Sequence, residues 1–178
     1  MEKFTIWKAV AVPFDQANID TNQICPTRFN KVEKGPKYAQ VLFHDLRFNP
    51  DGTEKPEFIL NQPAYRKAGI IVAERNFGCG SSRESAVYAL ATFGIRAIIA
   101  PSFGDIFFNN CLKNSVVPVM LDADTCAAMR AQLRPQTGCA SKFSPPTRCY
   151  SSRPNTTAAS RPRSRTPSIG SRARTEQG

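Results

Sequence analysis

Apolar and polar positions alternate between Phe4 and Val12 (FTIWKAVAV), the period-two pattern of a half-buried strand, and Pro13 is expected to end it. Residues 14–62 keep no period. Asp15, Asn18, Asp20, Asn22, Gly35-Pro36 and Asn49-Pro50-Asp51-Gly52 supply turn chemistry there. An irregular stretch of that length is expected to be a functional loop or a partner-binding surface. Regularity then sets in. Ile70–Glu74 reads as a short buried strand, Asn76–Gly80 as a glycine-containing turn, and about Ser82 to Phe93 as a helix. Ala86, Ala89, Leu90 and Phe93 lie along one stripe of that helix. Ala97–Ala100 and Val116–Leu121 are two further strands. They flank a helix from after Ser102 towards Leu112, in which Phe103, Ile106 and Phe107 are expected to be core. A last helix covers Asp124–Leu133, with Asp124 as N-cap. Strand and helix in alternation predict an α/β fold with a mainly parallel sheet.

Composition changes this picture at one place. The chain has 178 residues, 41% apolar and 21% charged, with a net charge of +10. Residues 135–178 carry +7 of that charge and residues 1–134 only +3. The same 44 residues hold one Ile and no Leu, Val or Met, among many Ser, Thr, Pro and Arg. Such a segment buries too little apolar area to offset about 1–2 kcal/mol of backbone entropy per residue. The chain is therefore read as a domain over 1–134 and a basic, disordered tail over 135–178. A basic arm that binds nucleic acid is the alternative for the tail. It has neither Lys-rich blocks nor interleaved aromatics, so a nucleic-acid partner is not expected. No apolar run reaches the ~20 residues of a membrane span, and Met1–Ile6 does not resemble a secretory signal, so a cytoplasmic protein with no membrane partner is expected.

The six cysteines (25, 79, 111, 126, 139 and 149) form no C-x-x-C pair, and the one histidine, His44, has no companion at metal-ligand spacing. No metal ligands are therefore assigned. Reduced thiols are expected, with Cys111 and Cys126 as small core residues.

Candidate chemistry gathers in Asn76–Glu84 (NFGCGSSRE). Glycines after a strand let the backbone turn tightly and approach a ligand. The chain then enters a helix whose first N–H groups are unpaired and favour an anion. Arg83 adds a cation with bidentate geometry, and Ser81 and Ser82 add hydroxyls. The segment is a candidate cradle for a carboxylate or phosphate, with Gly78, Cys79 and Gly80 as its backbone. The plainer reading is a capping box from Ser81 to Glu84, and spacing alone favours it. One distant histidine argues against a serine-hydrolase triad, and the glycine spacing is not that of a dinucleotide site.

The stretch AERNFGCGSSRE (residues 73–84), with FILNQPAYRKAGIIV before it and RAIIAPSFGDIFFNNCLKN after it, resembles the small subunits of bacterial 3-isopropylmalate dehydratases. NIDTNQICPTRF (18–29) and VLFHDLRF (41–48) are similar to the same family. The resemblance covers residues 4–133. It implies the swivelling β/α layered domain of the aconitase superfamily. It also implies a role in leucine biosynthesis: interconverting 2- and 3-isopropylmalate by loss and return of water, active only with a separate large subunit. The 4Fe–4S cluster would then belong to the large subunit, with no cofactor bound by this chain. Ser81 would be the catalytic base, and Ser82 and Arg83 would hold a carboxylate of the diacid substrate, with Arg28 as a further candidate. Asp20 and Thr21 match an Asp-Thr pair of the family, although turn formation explains that aspartate as well.

The chain departs from the family at Ser85-Ala86, Val87-Tyr88 and Leu46, and the likeness stops at about Leu133 where the tail begins. That break looks like a shifted reading frame or a lineage-specific replacement. Two alternatives stay open: a sister hydro-lyase of the citraconate or dimethylmalate type, and an inactive paralogue that only binds a partner.

Overall fold

The apolar runs after residue 67 become neighbouring strands because each is too short and too apolar to stand alone. In the computed structural model, which describes residues 6–81 and 83–134, β1 (Val10–Pro13), β2 (Ala68–Val72), β3 (Ala97–Ala100) and β4 (Val117–Met120) form one sheet in that order. All three pairings are parallel, as the alternating pattern predicts. Expected disorder over 135–178 falls outside the described residues. Among those described, no helix is long and apolar enough to cross a membrane.

Two prolines lie inside strands. β1 starts later than the sequence pattern suggests and includes Pro13, which was expected to end it. Both outer strands tolerate proline because the missing N–H would point away from the sheet. Phe14 N–H, next along, bonds Val72 O at 2.8 Å, and Val117 N–H, just before Pro118, bonds Arg96 O at 2.8 Å.

The segment 14–62 is less irregular than its sequence. It contains α1 (Thr21–Ile24), α2 (His44–Arg47) and three short 3-10 turns, Thr27–Phe29, Pro36–Val41 and Ile59–Asn61. Arg47 ties α2 to the 36–41 and 59–61 turns: its guanidinium donates to Asn61 Oδ1 (3.2 Å), Ala39 O (3.1 Å) and Leu42 O (3.3 Å). Asn61 returns its amide to Arg47 O and Lys55 O. Burial pulls the Arg47 pKa down, and the side chain lies over the rings of Phe48 and Phe93. These bonds span 5 to 14 positions at no regular spacing, so no local period announces them.

α3 (Glu84–Phe93) buries Ala86, Val87, Ala89 and Leu90 against α1, the 36–41 turn and α4, and ends at Gly94 with φ +114°. Its expected stripe is present, with Val87 added and Phe93 half-buried. α4 (Asp105–Lys113) buries Phe107 and Cys111, whereas Ile106, expected in the core, is 61% exposed. The reason is rotational: a residue beside a buried one on a helix points about 100° away from it. Cys111 is a core thiol, and burial pushes its pKa up to about 12. α5 (Ala123–Leu133) is capped by Asp122, which accepts from Thr125 N–H at 2.8 Å, and not by Asp124. Asp124 lies in the first turn, where its charge still suits the helix dipole.

α5 packs over β1, β2 and β3 and is pinned by Arg130. That buried guanidinium reaches Asp15 (3.1 Å), Ala73 O (2.9 Å) and Glu74. Tyr65 Oη adds a bond to Leu133 O at 2.5 Å. The core beneath is continuous, from Phe43, Leu42 and Ile24 through Ile71, Ile98 and Leu90 to Phe77 and Phe107.

Candidate functional site

Parallel strands put all their carboxyl ends on one side, and in open α/β sheets that side is where ligands bind. Here the chain leaving β1, β2 and β3 is stitched together at that side. Gly78 and Cys79 N–H both donate to Ile19 O, at 2.7 and 3.2 Å. Phe77 N–H donates to Ser102 O and Gly104 N–H to Phe77 O, each at 3.0 Å. Asn76 N–H meets Ser102 Oγ at 2.8 Å, and Asn76 Nδ2 meets Asn18 Oδ1 at 2.8 Å.

Two of the glycines have a steric task. Gly78 has φ +73°, and a Cβ there would lie 2.2 Å from the Phe107 ring. A Cβ on Gly104 would lie 2.5 Å from Gly78 O. The turn therefore rests on a core aromatic below it and on backbone beside it. The N–H groups of Gly78 and Cys79 are committed to Ile19, so as cradle residues they supply the turn's shape, not its anion donors.

Ser81 stands exposed at the end of this turn. Buried Thr21 holds its backbone: Thr21 Oγ1 donates to Ser81 O (2.9 Å) and Thr21 N–H to Cys79 O (3.2 Å). Among the described residues, the Ser81 hydroxyl has no hydrogen-bond partner. The capping box expected at Ser81–Glu84 is not formed. α3 takes Arg83 as its N-cap with no side-chain cap bond; Ala86 N–H bonds Arg83 O at 3.2 Å, and among the described residues no side chain caps the N–H groups of Glu84 and Ser85. A complete capping box occurs instead at Asp20, whose carboxylate accepts Gln23 N–H (2.8 Å) while Gln23 Oε1 accepts Asp20 N–H (3.2 Å). Turn formation, the plainer reading of Asp20, is thus what it does, and the turn carries Thr21 to Ser81. Ser82 lies outside the described residues.

Arg83 faces the segment after α1. Its Nη1 donates to Asn22 Oδ1 at 2.9 Å and to Thr27 Oγ1 at 2.7 Å, and Thr27 Oγ1 donates to Asn22 Oδ1 at 2.6 Å. Ser85 Oγ adds a bond to Asn30 Oδ1 at 2.9 Å. Among the described residues no carboxylate pairs with Arg83. Asn22 and Thr27 escaped the sequence reading, since their contact with Arg83 spans more than 55 positions and has no local signature.

Arg28 is placed differently. Both its Nη atoms bond the Asp45 carboxylate, one at 3.0 Å, and Nη2 also lies 3.4 Å from His44 Nδ1. The guanidinium holds the Asp45 pKa below the usual carboxylate range. The pair borders an open cleft of about 690 Å³, lined also by Phe48, Asn49 and Lys55. His44 is packed between the rings of Phe29 and Phe48. Arg28 therefore has a partner in place, whereas Ser81 ends the turn and Arg83 stands at the start of α3. Among the described residues, no three of His, Cys, Asp and Glu are grouped as a metal site would need.

The geometry defines a parallel α/β domain in which, among the described residues, the Ser81 hydroxyl has no hydrogen-bond partner and Arg83, at the start of α3, has no carboxylate partner. Residues 1–124 match the model of the aconitase C-terminal domain, and the chain belongs to that family. It is 53% identical over 134 residues to a 3-isopropylmalate dehydratase small subunit of Gluconacetobacter diazotrophicus, covering 75% of this chain and 65% of that protein. A small subunit of Paramagnetospirillum magneticum is 54% identical over 121 residues, covering 68% and 60%. The chain thus spans somewhat less than two thirds of the length of these relatives. Among solved structures, 3-isopropylmalate dehydratase of Methanocaldococcus jannaschii is 31% identical, with a TM-score of 0.49 and coverage of 65% and 62%.

Proposed function

We propose that this chain is the small subunit of a hydro-lyase that interconverts 2- and 3-isopropylmalate in leucine biosynthesis, working in the cytoplasm with a separate large subunit. Residues 1–134 are its functional domain. The observation that supports the reading is the sequence itself, about half identical to proteins of that name, with Ser81 at the end of the turn after β2 and Arg83 at the start of α3. The Lewis acid for the departing hydroxyl is expected to be a 4Fe–4S cluster on cysteines of the large subunit.

This chain's part is proton transfer and carboxylate binding. Ser81 Oγ, as the alkoxide, takes the C–H proton next to the carbon that loses its hydroxyl, and the C–H electron pair becomes the double bond of the enoic diacid. Rehydration completes the exchange when Ser81 gives a proton to the carbon that lost its hydroxyl and hydroxide adds to the carbon that lost its proton. An alkoxide is costly at a free hydroxyl's pKa, and the uncapped start of α3 and the Arg83 charge both lower that cost. Arg83, with Ser82, holds a substrate carboxylate beside the reacting carbon.

The test is Ser81→Ala in the complex with a 3-isopropylmalate dehydratase large subunit. Turnover should fall by about 10²–10⁴-fold, the usual range for a lost general base. Because Ser81 caps nothing, the melting temperature should stay put. A variant with normal turnover ends the assignment. A panel including citraconate and dimethylmalate decides between sister substrates, and a wild-type complex inert towards all of them leaves the partner-binding paralogue.

A further inference from the structure

Arg83 has five N–H donors in a fixed planar fork. Both hydrogens of Nη1 are used, one on Asn22 Oδ1 at 2.9 Å and one on Thr27 Oγ1 at 2.7 Å. The third side of this triangle is the Thr27-to-Asn22 bond at 2.6 Å, which turns both oxygen acceptors towards Nη1. The edge that remains is formed by Nε and Nη2, two parallel N–H groups at the spacing of a carboxylate's oxygens. Among the described residues nothing accepts from that edge. An unrestrained arginine samples many rotamers, and ordering it on binding carries an entropic cost.

We infer that Asn22 and Thr27 are positioning residues for the substrate carboxylate: they clamp Nη1 so that the Nε–Nη2 edge of Arg83 is presented, already ordered, to the diacid. This rests on the isopropylmalate reading for the identity of the diacid but not for the clamp itself. The clamp also explains why the segment after α1 is tied to the start of α3 by side chains. A rotation of Arg83 would leave Asn22 Oδ1 with one donor fewer. Asn22 and Thr27 bond Arg83 and each other, and no hydrogen bond ties either of them to Ser81, so their effect belongs in binding.

In the assembled enzyme, Asn22→Ala and Thr27→Val should each raise KM for the diacid about tenfold, the scale of one charged hydrogen bond, and leave kcat within about twofold. Thr27→Ser, which keeps the hydroxyl, should restore KM. On the full chain without its partner, ¹⁵N NMR of the Arg83 side chain should show slowed rotation of the Nη1 group, lost in Thr27→Val and regained in Thr27→Ser. A Thr27→Val enzyme with unchanged KM overturns the clamp. So does a KM change that follows the melting temperature and is not rescued by serine, or freely rotating Nη1 hydrogens in the wild type. If no diacid is turned over by wild type, the functional reading fails while the NMR result still decides the clamp.

Discussion

Arg83 and Arg28 lie in regions built by different means. The turn that carries Ser81 and leads to Arg83 is held by backbone: its N–H groups donate to Ile19 O and Ser102 O, Gly78 has a positive φ, and the Phe107 ring lies under it. The cleft around Arg28 is held by exposed side chains, an ion pair with Asp45 and a Lys55 bond to Asp45 O. Backbone and core packing fix atoms to fractions of an ångström. Exposed ion pairs yield to salt, pH and a competing partner. The first region is therefore suited to chemistry, and the second to adapting when another surface meets it.

The largest effect should come from loading the rigid side. Gly78→Ala puts a Cβ into the Phe107 ring and forces alanine to positive φ, and should cost about 3 kcal/mol or more in urea unfolding. An alanine variant of wild-type stability would show that the turn is not packed as described. Next comes Arg130→Met, which strips a buried charge from Asp15, Glu74 and Ala73 O just upstream of the turn. A loss of about 2–3 kcal/mol is expected, because both acids keep some solvent. Equal stability of the methionine variant would make the cluster ornamental.

Smaller effects mark the boundary between the regions. Asp20→Ala removes the carboxylate that accepts Gln23 N–H, the side-chain half of the capping box, and should cost about 1 kcal/mol. It should also loosen Thr21 beneath Ser81, seen as faster amide exchange of Thr21. Protection unchanged from wild type would separate the cap from the site. Asp45→Ala should leave the urea midpoint within error at moderate salt, since both members of the pair are 55% exposed. The paired carboxyl has its pKa below the unfolded value. Whatever stability the pair adds is therefore complete above about pH 4, the pKa of an unpaired Asp, and is lost as pH falls through the folded value. An Asp45→Ala difference that grows as pH rises above neutral would contradict that sign.

Much of the fold was legible along the chain. Ala97–Ala100 forms the strand its apolar run implies, and the α3 stripe, the parallel order and the burial of Cys111 and Cys126 all follow from short-range pattern. The loop NFGCGSSRE could also be located, because glycines after a strand and before a helix have few other uses. What local pattern misassigned were the ends of elements. Ser81 and Asp124 looked like caps by spacing, yet Arg83 and Asp122 are the residues whose backbones leave the helix. Caps are decided by where the preceding strand or turn delivers the chain.

Sequence alone thus determined which segments after residue 67 are strand or helix and where a glycine turn joins a strand to a helix, because those follow from periods of two and 3.6 and from glycine at a strand end. Only the tertiary structure decided which donors remain open. Gly78 and Cys79 turn their N–H groups to Ile19, Arg28 closes on Asp45, and Arg83 keeps its Nε–Nη2 edge because Asn22 and Thr27, some sixty and fifty-six positions away, occupy the other side. Hydrogen-bond partners chosen across such separations depend on how the sheet brings three loops together, and no period along the chain encodes that meeting.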